Sequence, residues 1–586
     1  MAPYHRGEAL DLTLVQNFNM MGTKRNSTDL AKSWLNVRNF EHLIKIEMKN
    51  IKVLCLSLIA VILFSCNKFN DFGDVNIDPT KSSDMDPAAQ MALTQARFSG
   101  DVSTQQYINT LVLQPMMQQT GGAYATRLGF LYERNATAMN ALWDNAYPND
   151  IVNIVDATKR AELSKATKPN LYAMCRVMKV YLFARITDIY GDIPYTDAGK
   201  AYLGGVIRPK YDSQEAIYND FLKELTEASA SFTSNSEILN KDLFYAGNIA
   251  LWKKFTNSLK LRLALRLAKR NPDKAKAAIQ EAVAAGVFTS NSDICMTRHE
   301  DVESTGTDIR GNGTSVAVTR QSQYPLLCQT LFDQLKSTSD PRFNSIVRVY
   351  RAGVPASRID ITDQIKASVN GLVATPANKF IYDDRQPFGP YLPAVVINVN
   401  GANVSIGNNE QRTQFANFLI RFNAPFFHIT YAEVEFLLAD AILRFPGITI
   451  SGTANEHYAK GVSAAMKQLS LFPGGPVITD AEINAFLTAN PLTAGNELKL
   501  INNQLWINFI MNGPEAFANW RRTGFPALVP AIRAESTAKS IPRRFEYPLS
   551  EKEQNTANVG EAISNIKEGL YPGTDNWENR VWWDKQ

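Results

Sequence analysis

The sequence predicts a mainly α-helical protein, built from packed helix pairs with tetratricopeptide-like units plus long loops and a few short strands. Apolar residues recur at helical spacing in several segments between residues 167 and 512. Between these segments lies a stretch, 301–426, that is rich in Gly, Pro, Asn and Thr. The 586 residues are 45% hydrophobic and 20% charged, a composition typical of globular proteins.

The predicted helices follow this periodicity and end at Gly or Pro. The segment 167–190 places Tyr172, Val177 and Ile186 at helical spacing, and Gly191 ends it. Consecutive helices with small residues at their crossings are typical of tetratricopeptide-like units, although no clean 34-residue consensus is present. The other predicted helices lie at residues 213–232, 251–269, 271–287, 428–445, 455–471 and 500–512.

The segment 301–426 is predicted to be a loop-rich insert with short β-like runs at 343–350 and 392–399. Loops this long in a compact domain are usually functional or disordered. Within the insert, residues 311–315 (GNGTS) lack the following lysine and helix of a phosphate-binding loop, so we predict an ordinary loop there.

An export signal is predicted at residues 48–66 (MKNIKVLCLSLIAVILFSC). Lys49 and Lys52 precede an apolar run of twelve residues, which is too short to span a membrane as a helix and fits a signal peptide. The run ends in Leu-Phe-Ser-Cys, which resembles the bacterial lipobox. We therefore expect Cys66 to be the lipidated first residue of the mature protein.

This signal defines the predicted domain organisation. Because a signal peptide must be N-terminal, we expect Met48 to be the initiator and residues 1–47 to be a disordered upstream extension from a mistaken start. Residues 48–65 are the predicted signal peptide. Residues 66–87 contain five aspartates and are predicted to be a flexible tether. Residues 88–586 then form a single helical binding domain.

The charge distribution argues against nucleic acid as a partner. Residues 1–65 contain eight of the 61 basic and five of the 57 acidic residues, which leaves 53 basic and 52 acidic residues in the predicted mature chain. A neutral surface lacks the positive charge that supplies most of the affinity for phosphate backbones.

No catalytic, metal or cofactor motif is present, so we expect no enzyme activity, no cofactor and no metal site. His299, His428 and His457 are the histidines of the predicted mature chain, and they have no spacing typical of metal ligands. Excluding Cys55 of the signal and Cys66, the remaining cysteines are scattered, and we predict buried free thiols. Composition alone does not distinguish a binding protein from a glycosidase, because carboxylate pairs are frequent in a chain of this size.

Several sequence blocks carry a family resemblance. They are residues 190–198 (YGDIPYTDA), 209–212 (PKYD), 245–248 (YAGN), 252–264 (WKKFTNSLKLRLA), 430–434 (TYAEV), 519–526 (NWRRTGFP) and 541–548 (IPRRFEYP). In this order the chain resembles the SusD/RagB family over essentially all of residues 66–586. It is most similar to the branch of SusD-like nutrient-binding outer-membrane lipoproteins of Bacteroidetes. Asn248 and Asp440 depart mildly from the usual acidic residues of the family.

The resemblance implies a helical, partly tetratricopeptide-like fold without catalytic residues. It also implies a lipid-anchored protein at the cell surface that captures a glycan, or a peptide, and delivers it to a TonB-dependent outer-membrane transporter of the SusC type. Two alternatives stay open from the sequence. One is a secreted glycan-cleaving enzyme on a helical scaffold, and the other is a purely structural adaptor for the transporter.

Most motif residues have a structural interpretation. Trp252, Phe255 and Arg262 recur at helical spacing, so we expect them to pack one helix on another. The arginines in blocks 519–526 and 541–548 are candidates for an anion site, but such arginines more often pair with carboxylates and helix C-termini.

The ligand site is predicted on loops, where the family holds its ligands. A sugar needs a flat apolar surface for its C–H faces and a few fixed polar groups for its hydroxyls. Residues 121–132 and 384–391 offer rings on segments shaped by glycine or proline. The residues predicted to bind the ligand are Tyr124, Arg127, Tyr132, Phe388 and Tyr391.

Overall fold

The computed structural model describes most of the predicted binding domain. The described residues are 85–122, 126–234, 237–321, 324–351, 358–375, 392–530 and 538–586. Residues from Met85 to Gln586 form one compact unit. The predicted signal peptide and Cys66 lie outside the described residues. The predicted tether extended to residue 87, but Asp86 is already the N-cap of a helix that begins at Pro87.

Helices dominate the unit, as the sequence predicts. Those of eight residues or more are α1 (Pro87–Gly100), α2 (Ala136–Asn145), α3 (Val152–Leu163), α4 (Pro169–Tyr190), α5 (Gln214–Ser231), α6 (Ile249–Arg266), α7 (Pro272–Ala285), α8 (Gln329–Ser337), α9 (Tyr431–Arg444), α10 (Ala454–Lys467), α11 (Asp480–Ala489), α12 (Glu497–Asn508), α13 (Gly513–Thr523) and α14 (Thr556–Ser564). A π-helical stretch, Gln105–Leu113, continues from the short helix Val102–Thr104. The remaining helical turns are Gln114–Met116, Arg127–Phe130, Ala146–Ile151, Ala201–Gly204, Asn291–Asp293, Gly313–Thr319, Arg342–Ile346, Thr362–Lys366, Asn409–Gln411, Asn417–Leu419, Gln468–Leu471 and Leu549–Gln554.

The strands are short. They are β1 (Thr120–Gly121), β2 (Ile193–Pro194), β3 (Tyr211–Asp212), β4 (Cys295–Thr297), β5 (Leu326–Leu327), β6 (Val347–Arg348), β7 (Tyr350–Arg351), β8 (Ile359–Asp360), β9 (Val395–Val399), β10 (Ala402–Ile406), β11 (Gln414–Phe415) and β12 (Phe426–Ile429). Four of them form one sheet in the order β1-β5-β11-β6, and the others pair as β10-β9, β12-β4, β2-β3 and β7-β8.

Local capping explains where the long helices begin. The Asn248 side chain accepts a hydrogen bond from Leu251 N and caps α6, a role that Asn and Asp perform equally well. Thr430 caps α9 in the same way, and Thr453 with Glu456 forms a capping box at α10. The departure at Asn248 therefore keeps the cap.

The packing between α9 and α10 depends on a small residue at the crossing. A Cβ built on Gly461 would lie 2.6 Å from Cε1 of Phe436, so only glycine lets the ring pack this closely. Both helices bury one face in the large core cluster. A smaller apolar cluster, which includes Ile361, Ile397 and Ile406, lies beneath the β9–β10 hairpin within the insert.

Candidate ligand-binding site

The described residues that precede the two predicted ligand loops lie close together at the four-stranded sheet. In β1, Gly121 pairs with Leu326 of β5. Just after β5, the backbone of Cys328 forms an isolated parallel β-bridge with that of Thr375. A Cβ on Gly122, whose φ is +81°, would lie 2.9 Å from Thr375 Oγ1. Gly122 is followed by residues 123–125 and Thr375 by residues 376–391, so both predicted loops start at the same edge of the sheet.

Three of the predicted ligand residues lie on those two segments. Tyr124, Phe388 and Tyr391 are outside the described residues, so they stay predictions. Arg127 opens a helical turn after the first segment, and its Nε lies 2.8 Å from Glu133 Oε2. Its side chain is 30% exposed, so the guanidinium remains at the surface.

The prediction for Tyr132 is wrong. Tyr132 is 1% exposed, and its ring belongs to the main core cluster. Its φ of +55° lies in the left-handed region. Tyr132 follows Leu131, which is the C-cap of the helical turn Arg127–Phe130. The chain turns inward there, so the ring packs against the helices and does not line a ligand-facing surface.

An arginine held between two tyrosines stands beside the sheet. The Arg358 guanidinium carbon lies 4.0 Å from the ring centroid of Tyr350 and 4.4 Å from that of Tyr324. Its Nη2 donates to Gln414 Oε1 at 2.5 Å, and Gln414 is the β11 residue that pairs with both Leu326 and Arg348. We call Tyr324, Tyr350, Arg358 and Gln414 the arginine–tyrosine cluster.

Burial gives Arg358 unusual electrostatics. The residue is 7% exposed, and no carboxylate of the described residues lies within ion-pair distance of it. Desolvation lowers the pKa of its guanidinium to about 10, and the neighbouring tyrosines and Asp360 offset only part of this effect. Its Nη1 has no hydrogen-bond partner among the described residues. Buried N–H donors in native proteins nearly always have an acceptor, either in the protein or in ordered water.

Four further buried polar atoms near the sheet have no hydrogen-bond partner among the described residues. They are Gln119 Oε1, Thr120 Oγ1, Thr375 Oγ1 and Thr413 Oγ1. These atoms lie on or next to β1, β5 and β11, at the edge from which the two loops start. Buried polar atoms in native proteins are usually hydrogen-bonded, and ordered water often supplies the missing partner.

The sequence did not identify Tyr324, Tyr350 or Arg358. They are up to 34 positions apart and share no motif. The pairing of β11 with both β5 and β6 is what brings them together. A Tyr-Pro step at 324–325 was the only local signal in the sequence.

The motif arginines are structural, as the sequence analysis expected. Arg522 pairs with Asp440 at 2.9 Å, Arg543 pairs with Asp584 at 2.6 Å, and Arg544 pairs with Asp575. Arg521 stacks between Phe517 and Trp583, at 3.9 and 4.7 Å from their ring centroids, and donates to Arg543 O. Asp440 is fully buried between Arg444 and Arg522, and these cations hold the pKa of its carboxyl well below its usual range despite burial.

A second concave region lies near the C-terminus. A cleft of about 720 Å³ is lined by Trp520, Ile541 and Leu570 together with charged side chains. Two of those charged groups are already paired inside the protein, Arg543 with Asp584 and Glu568 with Arg270. It is therefore a weaker candidate for a ligand than the sheet edge that carries both loops.

The remaining candidate groups, two histidines and three cysteines, are buried. His428 contacts Tyr181 OH and Thr297 Oγ1, and His457 contacts Glu435 at 2.6 Å. Cys175, Cys295 and Cys328 are free and buried, and burial raises the pKa of each thiol. The described ranges hold no group of three or more His, Cys, Asp or Glu placed to bind a metal. Among the helices of those ranges, none has the length and apolarity that crossing a bilayer requires.

Comparisons with known proteins agree with this architecture. A solved structure described as a chitin-binding protein is 32% identical, covers 86% of this chain and 100% of its own, and superposes with a TM-score of 0.71. A Bacteroidetes SusD-like structure is 30% identical over the same shares, with a TM-score of 0.75. A chitin-binding SusD homologue from Flavobacterium johnsoniae shares the fold at 23% identity, covering 85% of this chain and 98% of its own, with a TM-score of 0.64. No match was found among curated proteins.

The family model provides the assignment. It matches residues 79–548, which include the seven blocks that carry the resemblance and the sheet that holds the arginine–tyrosine cluster. The model is described as starch-binding and associating with the outer membrane. The chain therefore belongs to the SusD-like family.

Proposed function

We propose that this protein is a lipid-anchored, cell-surface binding protein that captures a glycan and delivers it to a TonB-dependent outer-membrane transporter of the SusC type. It acts by binding alone and has no enzymatic activity. The association of its family with the outer membrane and with starch supports this proposal. The lipobox-like order that ends at Cys66 supports the anchor.

The observation that carries the proposal is the shared origin of the two aromatic loops. Gly122 and Thr375 are in contact distance, so Tyr124 lies two residues and Phe388 thirteen residues beyond one common point. The arginine–tyrosine cluster at the same sheet offers a rigid, planar donor group. Aromatic faces with a few fixed donors are what a neutral sugar needs.

The first ligand to test is a β-linked N-acetylglucosamine oligomer. The relative that is 32% identical is described as chitin-binding, and Nη1 of the buried Arg358, which has no partner among the described residues, is an N–H donor of the kind that pairs with an acetamido carbonyl. A malto-oligosaccharide is the second, because the family is described as starch-binding. Peptides are the third, because the SusD/RagB resemblance allows them.

The test is titration calorimetry on the purified protein with each ligand class. The double variant Tyr124→Ala/Tyr391→Ala should weaken binding of the cognate ligand at least tenfold without lowering Tm much. Tyr571→Ala is the matched control, since Tyr571 is a partly exposed ring outside the two predicted loops and follows Leu570 of the C-terminal cleft. Unchanged affinity in the double variant, or a collapse of its stability, would assign those rings to the core.

The alternative, a secreted glycan-cleaving enzyme, predicts turnover. Incubation of the protein with the polysaccharide that it binds should release no new reducing ends. Steady release that scales with protein concentration and disappears on heating would replace the binding assignment with a hydrolytic one.

Delivery to a transporter predicts a stable complex. Affinity purification of the native protein from a detergent extract of outer membranes should recover an outer-membrane barrel along with it. Repeated recovery of the protein alone, under conditions that keep its glycan affinity, would contradict this part of the proposal and leave glycan binding standing.

A further inference from the structure

We propose that the C-terminal cleft is a second ligand site, which binds an oligosaccharide that carries carboxylate groups. This cleft of about 720 Å³ is lined by Trp520, Ile541, Leu570 and several charged side chains. Its volume lies within the range of about 300–1,000 Å³ that is typical of ligand sites. The inference goes beyond the proposed function, because the site and the charge of its ligand differ, and only the choice of a glycan rests on that function.

One wall of the cleft is a loop, residues 567–571, that the fold holds in place. Gly569 has a φ of +123°, and a Cβ built on it would lie 2.3 Å from Asn579 Cα, so only glycine fits there. The buried Asn579 side chain donates to Tyr571 O at 2.7 Å and to Thr574 O at 2.9 Å, and it accepts from Tyr571 N at 2.8 Å. The loop that faces the cleft is therefore preformed.

Two arginines that line the cleft share a single carboxylate. Asp584 Oδ2 lies 2.6 Å from Arg543 Nε, and Asp584 Oδ1 lies 2.7 Å from Arg543 Nη2 and 3.0 Å from Arg580 Nη1. The Asp584 side chain is fully buried, whereas those of Arg543 and Arg580 are 15% and 19% exposed. Neither Arg543 Nη1 nor Arg580 Nη2 donates to any described residue, so each guanidinium keeps a donor for a ligand.

Two lysines add further positive charge to the same cleft. Lys567 Nζ donates to Ser564 O at 2.8 Å, and no carboxylate of the described ranges lies within ion-pair distance of Lys567 or Lys585. Behind them, Lys269 Nζ lies 3.3 Å from Lys585 O. Burial lowers the pKa of the Lys269 ammonium, and the surrounding arginines lower it further against the opposing effect of Asp584. Positive charges are thus crowded at this end of the domain.

The two carboxylates that line the cleft are already engaged. Glu568 pairs with Arg270 at 2.6 Å. Glu578 Oε1 accepts from the backbone amides of residues 539 and 540 at 2.7 Å each, and from Ser540 Oγ at 3.0 Å. Neither carboxylate lies within ion-pair distance of the four cations of the cleft.

The charge balance of the cleft is therefore positive. Four cations and two carboxylates line it, and Asp584 and Arg270, which lie behind them, offset each other. Lys269 adds one more positive charge nearby, so the excess persists even if Gln586, which also lines the cleft, carries a free α-carboxylate.

This balance identifies the class of ligand. For a neutral sugar the cleft is a weaker site than the sheet edge, but a carboxylate can accept from guanidinium and ammonium donors at once. Leu570, which is 53% exposed, offers apolar surface for the C–H faces of a sugar ring. An oligosaccharide with one carboxylate on each ring meets both requirements.

The test is titration calorimetry on the purified protein with a tetramer of galacturonic acid and with the methyl ester of the same tetramer. We expect saturable binding of the acid and at least tenfold weaker binding of the ester, because esterification removes the charges and keeps the sugar rings. Salt at about 0.5 M should also weaken binding of the acid, since it screens exposed charges.

Paired variants assign the binding to the cleft. Lys567→Gln/Lys585→Gln should weaken binding of the acid at least tenfold at unchanged Tm, because both side chains are exposed. Lys567→Arg/Lys585→Arg keeps the charges and should keep the affinity. Lys165→Gln/Lys223→Gln is the matched control, because it removes the same charge from lysines that are 59% and 66% exposed outside the cleft.

Several results would overturn the inference. They are no saturable binding of the acid, equal affinity for the ester, and an equal loss of affinity in the control variant. Tighter binding of a tetraglutamate peptide would replace the acidic glycan with an acidic peptide. Loss of binding of the acid in Tyr124→Ala/Tyr391→Ala would reduce the two sites to one. Binding of the acid by protein that binds no neutral glycan would contradict the proposed function and support the second site.

Discussion

Arg262 and Glu433 are 171 residues apart in the chain and form a two-pronged ion pair in the core, with Nε–Oε1 at 2.6 Å and Nη2–Oε2 at 2.7 Å. Both side chains are 2% exposed. Arg262 also donates to His428 O and lies 3.2 Å from Glu515. Two of the sequence blocks that resemble the SusD/RagB family therefore meet here, and their role is to lock α6 against α9.

Replacing Arg262 with Met should destabilise the protein strongly. The substitution leaves Glu433 without its cation and Glu515 with only Arg266, so unfolding should become easier by about 3–5 kcal/mol. Chemical denaturation measures this change. The control Arg310→Met removes an arginine that is 57% exposed and should leave the denaturation midpoint unchanged.

The double variant Arg262→Met/Glu433→Leu separates the two contributions. It removes the uncompensated charge as well, so it should recover part of the lost stability. A double variant less stable than Arg262→Met alone would contradict this account of the pair.

Acidification should destabilise the fold through His299. Burial lowers the pKa of its imidazole from 6.5 to about 4, Ser99 Oγ lies 2.9 Å from Nε2, and Nδ1 lies 3.0 Å from Arg310 O. The neutral ring is thus favoured in the folded state, while the unfolded state takes up the proton more readily. This stabilising contribution is fully present above pH 6.5 and is lost as the pH falls toward 4. At pH 5 the free energy of unfolding should be about 2 kcal/mol lower than at neutral pH because of His299 alone.

The variant His299→Gln isolates that effect. Other buried groups titrate over the same interval, so the comparison is the difference between variant and wild type across a pH series. The variant should lose less stability between pH 7 and pH 5 than the wild type does. Parallel curves of unfolding free energy against pH for the variant and the wild type would show that His299 does not cause the loss of stability in acid.

Adding one methyl group at the α9–α10 crossing should destabilise the helix pair. In Gly461→Ala the new Cβ would lie 2.6–3.0 Å from three atoms of the Phe436 ring, and overpacking of this kind costs about 1–3 kcal/mol. Gly560→Ala is the matched control, because Gly560 lies exposed in α14 with nothing within 4 Å of an added Cβ. That variant should gain up to about 1 kcal/mol from helix propensity.

Thermal melts of the two alanine variants decide the point. Opposite signs of the change in Tm are expected. A neutral Gly461→Ala would show that the Phe436 ring moves aside at little cost.

Cys66→Ala should release the protein from the membrane fraction, because it removes the predicted site of lipid attachment. Cys55→Ala changes a cysteine inside the predicted signal peptide and should leave the protein membrane-bound. Fractionation followed by immunoblotting measures both. Mass spectrometry of native cells should find no peptide from residues 1–47, and detecting one would refute initiation at Met48.

The sequence predicted the helices well because their determinants are local. The predicted segment 167–190 corresponds to α4 (Pro169–Tyr190), where apolar periodicity and a glycine end are both visible in the chain. The predicted helix bounds are wrong where pairing between residues distant in sequence determines the local structure. The predicted helix at 428–445 begins later, at Tyr431, because Phe426–Ile429 pairs as a strand with Cys295–Thr297, about 130 residues away.

Within the insert, the composition of residues 311–315 predicts a loop where the structure has a helix. Residues 311–315 were predicted to be a loop, but Asn312 accepts hydrogen bonds from Thr314 N and Ser315 N and caps the helix Gly313–Thr319. Asn is a favourable N-cap residue, but the glycines on either side of Asn312 are more typical of a loop. The insert therefore contains more helix than its composition indicates.

The ligand site on the two loops stays a prediction. Glycine and proline near aromatic residues predict both loops, but nothing local in the sequence shows that Gly122 and Thr375 lie side by side. The burial of Tyr132 follows from a left-handed turn that its own sequence does not require. The position of Arg358 depends on Gln414 and thus on sheet pairing across more than fifty residues.

Substitution of Arg358 by lysine tests whether its guanidinium contacts the ligand. Arg358→Lys keeps the positive charge near the rings of Tyr324 and Tyr350 but loses the planar fork and its Nη1 donor. If that donor completes its hydrogen bond with the glycan, affinity should fall by about tenfold, the effect of one net hydrogen bond of about 1.4 kcal/mol. Arg348→Lys is the control, since Arg348 is 34% exposed and lies 3.8 Å from Asp360.

Calorimetric affinity and Tm are measured together, because the two roles of Arg358 affect them differently. A residue that only fastens the two tyrosines would lower Tm and leave the affinity of the remaining folded protein unchanged, which would contradict a ligand contact. A residue that meets the glycan would reduce affinity with a smaller effect on Tm, since the lysine ammonium can still lie against both rings. The Arg348→Lys control should change neither quantity, because its exposed pair with Asp360 contributes little to stability.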